Sequence, residues 1–352
     1  MKSSILLIFI FSAVAFAQSG GQFEITKSVI SNGAGSSTGG NFALNGTIGQ
    51  AATGKSTGSN FELTSGFWRG GSTTPTISRT PFDYDGDGRA DVSVRRPSDN
   101  IWYLLQSTVG YTGITWGQAG DRMVPADYDG DGRTDVAVFR PSTGIWYIVN
   151  SSDLTFVAIN WGAAGDVAVP ADHDGDHRAD LIIFRPSTNV WYKRMIATNN
   201  LETVTFGASG DKPVIGDYDG DGLFDVAVYR PSNNNWYILK SSIGFFVQTW
   251  GQAGDIQCPA DFDGDGVTDL SVFRPSTGVW FRVLSRDGFS SQSWGVTGDV
   301  PIPADFDGDH KADIAVFRPS EGVWYIIQTT AGFRSTPFGT NGDVPTQSSF
   351  IF

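Results

Sequence analysis

Residues 124–149 read VPADYDGDGRTDVAVFRPSTGIWYIV, and the fold follows from this stretch. Its acidic core, Asp-x-Asp-Gly-Asp-x-x-x-Asp beginning at Asp127, begins again at Asp83, Asp172, Asp217, Asp261 and Asp305. The starts are 44, 45, 45, 44 and 44 residues apart, a period at which supersecondary units stack on one another. Turn residues divide the second copy into four predicted strands, Met123–Asp127, Asp135–Arg140, Ile145–Asn150 and Thr155–Trp161. In the second of these, Val136 and Val138 point one way and Ala137 and Phe139 the other. A strand apolar on both faces is sandwiched between neighbours. Ala or Ser at the 137-equivalent position in five of six copies lets the next sheet approach closely. Four short strands per repeat, placed radially, make an all-β protein of the β-propeller class; a linear solenoid would use shorter repeats with fewer strands.

The chain end adds to this reading. Gly342-Asp343-Val344-Pro345 repeats Gly298-Asp299-Val300-Pro301 and stops before any aspartate cluster. Val344–Phe352 is therefore expected to supply the missing first strand of a sheet begun near the other end, closing the ring. Residues 79–352 make up the propeller, with six blades. Residues 20–72 differ, being rich in Gly, Ser and Thr with a short duplication of their own, Ser37–Leu44 against Ser56–Leu63. Strands are predicted near Phe23–Ile30, Phe42–Gly46 and Phe61–Trp68, and Gly70–Ser78 reads as a linker. This region is either a small accessory β-module or part of a seventh blade.

Composition excludes several functions. The chain has 352 residues, 37 acidic against 24 basic, and a formal charge of −13. That balance argues against nucleic-acid partners, which require cationic surface. A single cysteine, Cys258, excludes a disulfide framework and a thiolate zinc cluster, and three histidines leave little imidazole chemistry. Residues 1–17 have the form of a secretory signal: Lys2, an apolar run from Ile5 to Phe16, and the small-x-small site Ala15-Phe16-Ala17. The run is shorter than the roughly 20 residues of a membrane span, and no later segment could span a bilayer. The mature chain is expected to begin near Gln18 and to work secreted or at the cell surface, with no transmembrane segment.

The acidic loops read as metal sites. Carboxylates at positions 1, 3, 5 and 9 converge, with Gly at 4 and mostly at 6 permitting the turn. The candidate ligands are Asp83, Asp85, Asp87 and Asp91; Asp127, Asp129, Asp131 and Asp135; Asp172, Asp174, Asp176 and Asp180; Asp217, Asp219, Asp221 and Asp225; Asp261, Asp263, Asp265 and Asp269; and Asp305, Asp307, Asp309 and Asp313. Oxygen-only ligation from a flexible loop suits Ca²⁺, about six ions in all, ahead of the stricter Mg²⁺. The loops are not EF-hands, since position 12 is Val or Ile (Val138, Ile183) in place of Glu. Asp-Gly turns that merely cap the backbone are the alternative. They would need only one or two carboxylates, and each like-charged pair at ~4 Å costs on the order of 4 kcal/mol at an effective dielectric near 20. The loops take 24 of the 37 acids, so the rest of the chain is net basic. At position 6, His177 and His310 replace Gly, and those two sites are expected to bind more weakly.

These loops, with the Phe-Arg-Pro-Ser and Trp-Tyr strands, resemble FG-GAP/VCBS-type repeats of integrin-like propellers and many secreted bacterial proteins. The resemblance covers about residues 79–352 and recurs six times. It implies a β-propeller with Ca²⁺ in the loops between first and second strands, and a role in adhesion or glycan recognition. Propellers of this family often have seven blades.

Other residues recur with the same period. Arg96, Arg140, Arg185, Arg230, Arg274 and Arg318 are matched in number by Asp121, Asp166, Asp211, Asp255, Asp299 and Asp343, which predicts one Arg–Asp bridge per blade. Trp102, Trp146, Trp191, Trp236, Trp280 and Trp324 sit at strand positions expected to be inter-blade core. Trp116, Trp161, Trp250 and Trp294, with Phe206 and Phe338 in the same place, lie nearer turns and are the candidate glycan contacts. Arg95 replaces the aromatic seen at Phe139 and marks an atypical blade. No catalytic constellation stands out, and sixfold repetition argues against a unique active site. The favoured reading is a non-catalytic module binding glycans or extracellular proteins. A propeller enzyme (a polysaccharide lyase or phosphodiesterase) and a purely structural surface domain are the alternatives.

Overall fold

In the computed structural model the chain divides into two compact units, Met1–Pro75 and Thr76–Phe352. Residues 80–350 are described in full; upstream of them, only the backbone of six short strands is. These pair as three hairpins: Ser19–Gly20 with Phe23–Glu24, Ala34–Gly39 with Phe42–Thr47, and Lys55–Gly58 with Phe61–Thr64. The last two fall on the duplicated stretches and share a register, Gly39 opposite Phe42 and Gly58 opposite Phe61. The signal segment 1–17, the expected strand beyond Glu24 and the linker Gly70–Ser78 lie outside the described residues.

The second unit is a ring of six four-stranded antiparallel sheets. Blade 2 shows the plan, with strands Arg122–Met123, Val136–Arg140, Ile145–Val149 and Phe156–Asn160 in that order. The first strand is shorter than predicted. Its ladder stops after Met123 pairs with Val138 and resumes only as a bridge between Ala126 and Asp135. Pro125, between them, has no N–H to give the ladder. Ile215 holds that place in blade 4 and the ladder breaks there too, so proline is not the only cause.

The second strand is buried at its first four positions in every blade, as its two-sided apolar pattern requires. Val136 and Val138 pack with Val92, Trp102 and Leu104 of blade 1. Ala137 and Phe139 pack with Leu181 and Ile183 of blade 3. The six tryptophans of the third strands are fully enclosed. Each satisfies its indole N–H on a carbonyl at the end of its own blade's fourth strand, such as Trp146 on Trp161 O at 2.7 Å. They are core residues, and their burial leaves no face for a ligand.

The two ends of the second unit close the ring in blade 1. Val344 pairs with Arg95 and Pro345 with Val94, after which Thr346–Phe350 turns into a short 3-10 helix. Thr346 Oγ1 meets Ser93 Oγ at 2.5 Å, and Gln347 Nε2 donates to Asp91 O at 2.6 Å. Blade 1 also bonds directly to blade 6, Ala90 N–H donating to Asp305 O at 2.6 Å. The ring is therefore complete with six blades, and the upstream hairpins form sheets of their own.

Candidate metal loops and inter-blade clefts

In blades 2 to 6 each acidic loop leaves the short first strand, and in all six it enters the buried second strand. The position-1 carboxylate folds the loop around itself. Asp83 Oδ1 accepts the N–H of Gly86 at 2.6 Å, and Oδ2 that of Gly88 at 2.8 Å. Position 9 is buried and ties the loop to the turn between the third and fourth strands. Asp91 accepts from Tyr84 N–H and Ser107 N–H, both at 2.8 Å. Gly86 and Gly88 hold φ of 82° and 86° here. His177 and His310 adopt the same left-handed backbone at 74° and 66°.

The loops gather three carboxylates each, with oxygens within 4.8 Å of one another. These are positions 1, 3 and 9 in blades 1 to 4 (for example Asp127, Asp129 and Asp135) and Asp261, Asp263 and Asp265 in blade 5. In blade 6, Asp305 and Asp313 make the same hydrogen bonds as their counterparts. Position 5 has other work in most loops. Asp87 accepts Ser107 Oγ at 2.5 Å, and Asp131, Asp221, Asp265 and Asp309 accept Ser151, Ser241, Ser285 and Thr329. Asp176 of blade 3 accepts Arg178 N–H and has no such hydroxyl beside it, because Ile196 stands where the other blades carry Ser or Thr. These Ser and Thr residues were not anticipated. Their signal is a hydroxyl residue 16 places after position 9 in five of six copies.

Position 3 carries the clearest mark of a cation site. Asp85 Oδ2 accepts Thr108 N–H at 2.8 Å, and Asp307 Oδ2 accepts Thr330 N–H at 2.9 Å. The other oxygen, Oδ1, of Asp85, Asp219, Asp263 and Asp307 is buried without a hydrogen-bond partner. A buried bare carboxylate oxygen is costly unless a cation meets it. Without one, burial and the neighbouring carboxylates push position 9 up, to about 7 in Asp91, Asp135 and Asp313 and about 6 in Asp180, Asp225 and Asp269. The donor set, all oxygen and strongly anionic, fits a hard divalent cation.

Successive loops are also joined. Thr134 N–H donates to Asp83 O, Ala179 to Asp127 O, Phe224 to Asp172 O, Thr268 to Asp217 O, Ala312 to Asp261 O, and Ala90 to Asp305 O. Five of these bonds are 2.6 Å long and the third is 3.1 Å.

Around the rim, all six Arg–Asp bridges form. Arg140 Nε and Nη2 reach Asp121 Oδ1 and Oδ2 at 2.8 and 2.9 Å, and Arg96 closes on Asp343 at 2.8 and 3.0 Å. Each guanidinium also lies over an aromatic ring, Arg140 on Tyr147 at 4.3 Å. Their place is structural. Beside them opens a cleft of about 170 Å³ between blades 1 and 2, lined by Trp116, Val138, Arg140, Tyr147 and Phe156. Phe156 stacks on Tyr147 and meets Trp116 edge-on at 5.3 Å. The same edge contact joins Trp250 to Phe289, Trp294 to Phe333, Phe206 to Phe245 and Phe338 to Tyr111. Trp161 instead faces a blade whose equivalent residue is Leu201, and Arg194 lies over its ring at 6.0 Å.

The four candidate tryptophans are half-buried, more enclosed than their place near turns suggested. Trp116, Trp250 and Trp294 donate their indole N–H to the next blade's Tyr147, Phe281 and Tyr325 carbonyls. The exposed partners are Tyr111, Phe156, Phe245, Phe289 and Phe333, 57–67% exposed, which sequence reasoning passed over. An aromatic at the same place in the fourth strand of five copies was the available signal.

Residues 83–138 and 127–183 match the family model described as FG-GAP-like repeat. No curated protein matches the sequence. Similar solved structures include an Agrocybe aegerita lectin that recognises non-reducing terminal N-acetylglucosamine (16% identity, TM-score 0.48, covering 71% of this chain and 76% of that one). Another is virginiamycin B lyase from Staphylococcus aureus (8% identity, TM-score 0.48, covering 75% and 86%). Among the described residues, no helix is long and apolar enough to cross a membrane.

Proposed function

We propose that this chain, a six-bladed β-propeller whose residues 83–183 match FG-GAP-like repeats, is a secreted, calcium-stabilised module that binds glycans on the aromatic rim between its blades. Asp83, Asp85 and Asp91, with their equivalents in blades 2 to 4, would hold the ions, and in blade 5 Asp261, Asp263 and Asp265 would do so. Bound Ca²⁺ supplies the positive charge that lets convergent carboxylates stay ionised. The bare buried oxygens of Asp85, Asp219, Asp263 and Asp307 support that assignment.

The observation that carries the glycan reading is the recurring pair of an exposed aromatic edge-on to a half-buried ring, found five times around the rim and opening as a cleft between blades 1 and 2. Sugars present one apolar face, which stacks on aromatic rings. Small aromatic contacts repeated around a ring bind weakly one at a time and strongly together when the ligand is itself repetitive. Repetition also favours binding over catalysis, since a reaction centre is normally unique.

A glycan array, run with calcium and with chelator, tests the proposal. Binding is expected with calcium and is expected to fall at least tenfold when Phe156, Phe289 and Phe333 are all changed to Ala. Binding that ignores those changes, or no binding to any glycan, would sink the glycan reading. A melting curve identical with and without EDTA would sink the calcium assignment independently.

A further inference from the structure

One buried position breaks the sixfold repeat. Arg95 stands where Phe139, Phe184, Tyr229, Phe273 and Phe317 stand in the other blades, and it is only 7% exposed. Its Nη2 donates to Asn100 Oδ1 at 2.7 Å and Gln118 O at 2.9 Å, and its Nη1 to Asp121 O at 3.4 Å. Its Nε has no acceptor. All of those partners are neutral. The rim arginines each hold an aspartate, whereas no carboxylate among the described residues lies within ion-pair distance of Arg95. Burying a guanidinium without a counter-charge is expensive, and an aromatic at this place serves the fold in five blades.

A cavity of about 240 Å³ adjoins it, walled by Arg95, Arg122, Met123, Val344, Ser348 and Ser349. Arg122 is exposed and also has no carboxylate partner among the described residues. Asp121 borders the cavity as well, but its carboxylate is fully enclosed and committed to Arg140 through both oxygens. The cavity therefore brings together two cations with no ion-pair partner of their own among the described residues, two hydroxyl residues and an apolar wall. Its size falls below the ~300–1,000 Å³ of drug-sized ligand pockets, so it suits a small group and not a polymer.

We propose that this cavity, found once per molecule where the chain ends close the ring, binds a single carboxylate-bearing ligand of monosaccharide size or less, such as a hexuronic acid. Arg95 supplies a fixed positive field from the wall, and Arg122 supplies the exposed half of the clamp. The apolar wall of Met123 and Val344 favours an organic carboxylate over a strongly hydrated inorganic anion. The site shares no lining residue with the aromatic cleft between blades 1 and 2.

Isothermal titration of the full chain in calcium-containing buffer tests this with D-glucuronate, D-glucose and inorganic phosphate as probes. One glucuronate per chain is expected, with no heat from glucose. Arg95→Phe, which restores the residue type of the other blades, is expected to abolish that binding. Arg122→Gln, at an exposed position, is expected to weaken it at least fivefold and keeps the test open if the first variant fails to fold. The proposal is overturned by no glucuronate binding, by equal binding of glucose, or by phosphate binding alone. Binding that survives both substitutions also overturns it, and a stoichiometry near six would assign the sugar to the clefts.

Discussion

Arg140 is held on two sides, by Asp121 in the plane of its guanidinium and by Tyr147 beneath it. The Asp121 carboxylate has no exposure, so removing the arginine strands a buried charge. Arg140→Ala is expected to cost about 3–5 kcal/mol in urea unfolding. The double variant with Asp121→Ala should cost clearly less than the sum of the two single changes. Strict additivity would mean that the pair is not coupled. This bridge was legible in the sequence because equal numbers of Arg and Asp recur with one period. The Ser107–Asp87 bond was not, because those residues are 20 apart and only the folding of two hairpins brings them together. Arg95 was legible as a departure, but its want of an ion-pair partner appears only once its neighbours are placed.

At the scale of elements, the turn between second and third strands bears directly on the linker that follows the fourth. Gly144 has φ of 69°, and a Cβ there would lie 2.3 Å from Gly162 O. Asn100, Asn189 and Asn234 take the same place at φ near 56° in blades 1, 3 and 4. Asn tolerates left-handed backbone better than other side chains do. Gly144→Ala is therefore expected to cost roughly 1–3 kcal/mol, and Gly144→Asn less, by chemical denaturation. Equal losses would mean that contact with Gly162, not backbone strain, decides. The strand periodicity made every second, third and fourth strand readable. The first strands were overextended because the ladder breaks within them, and a single-residue bridge leaves almost no trace in hydropathy. The closing element is two residues of strand and a helical turn, not a longer strand. Removing residues 343–350 also removes Asp343 from Arg96, so a large fall in melting temperature is expected, and an unchanged one would refute the closure.

For the whole molecule, acidity and stability are one subject. In the calcium-free chain the six position-9 carboxyls lie near 6 to 7, above the 3.8 of a free aspartate. Between pH 4 and 7 the folded state therefore holds more protons than the unfolded one, and stability falls as pH rises through that window. With EDTA the protein is expected to melt higher at pH 5 than at pH 7.5. With calcium the order should reverse, because ions bind only the deprotonated carboxylates. At calcium 100-fold above Kd, each occupied site adds about 2.7 kcal/mol by mass action. A chelated protein that melts higher at neutral pH would contradict the raised carboxyls. Six calcium ions would bring the chain from −13 to about −1, so on that proposal the acidic composition describes the empty loops more than the working surface.

The six bonds that run from each loop's position-8 N–H to the position-1 carbonyl of the loop before it form an unbroken circuit. Each donor stands one residue before a buried aspartate, and each acceptor belongs to the aspartate that folds its loop. Settling one loop around an ion thus stiffens the two beside it, and the circuit has no terminal member at which that influence stops. Titration with calcium should then rise more steeply than six independent sites allow. Disabling a single loop, for example with Asp127→Asn and Asp135→Asn together, should lower affinity in its neighbours too, so that the propeller fills and empties as a unit.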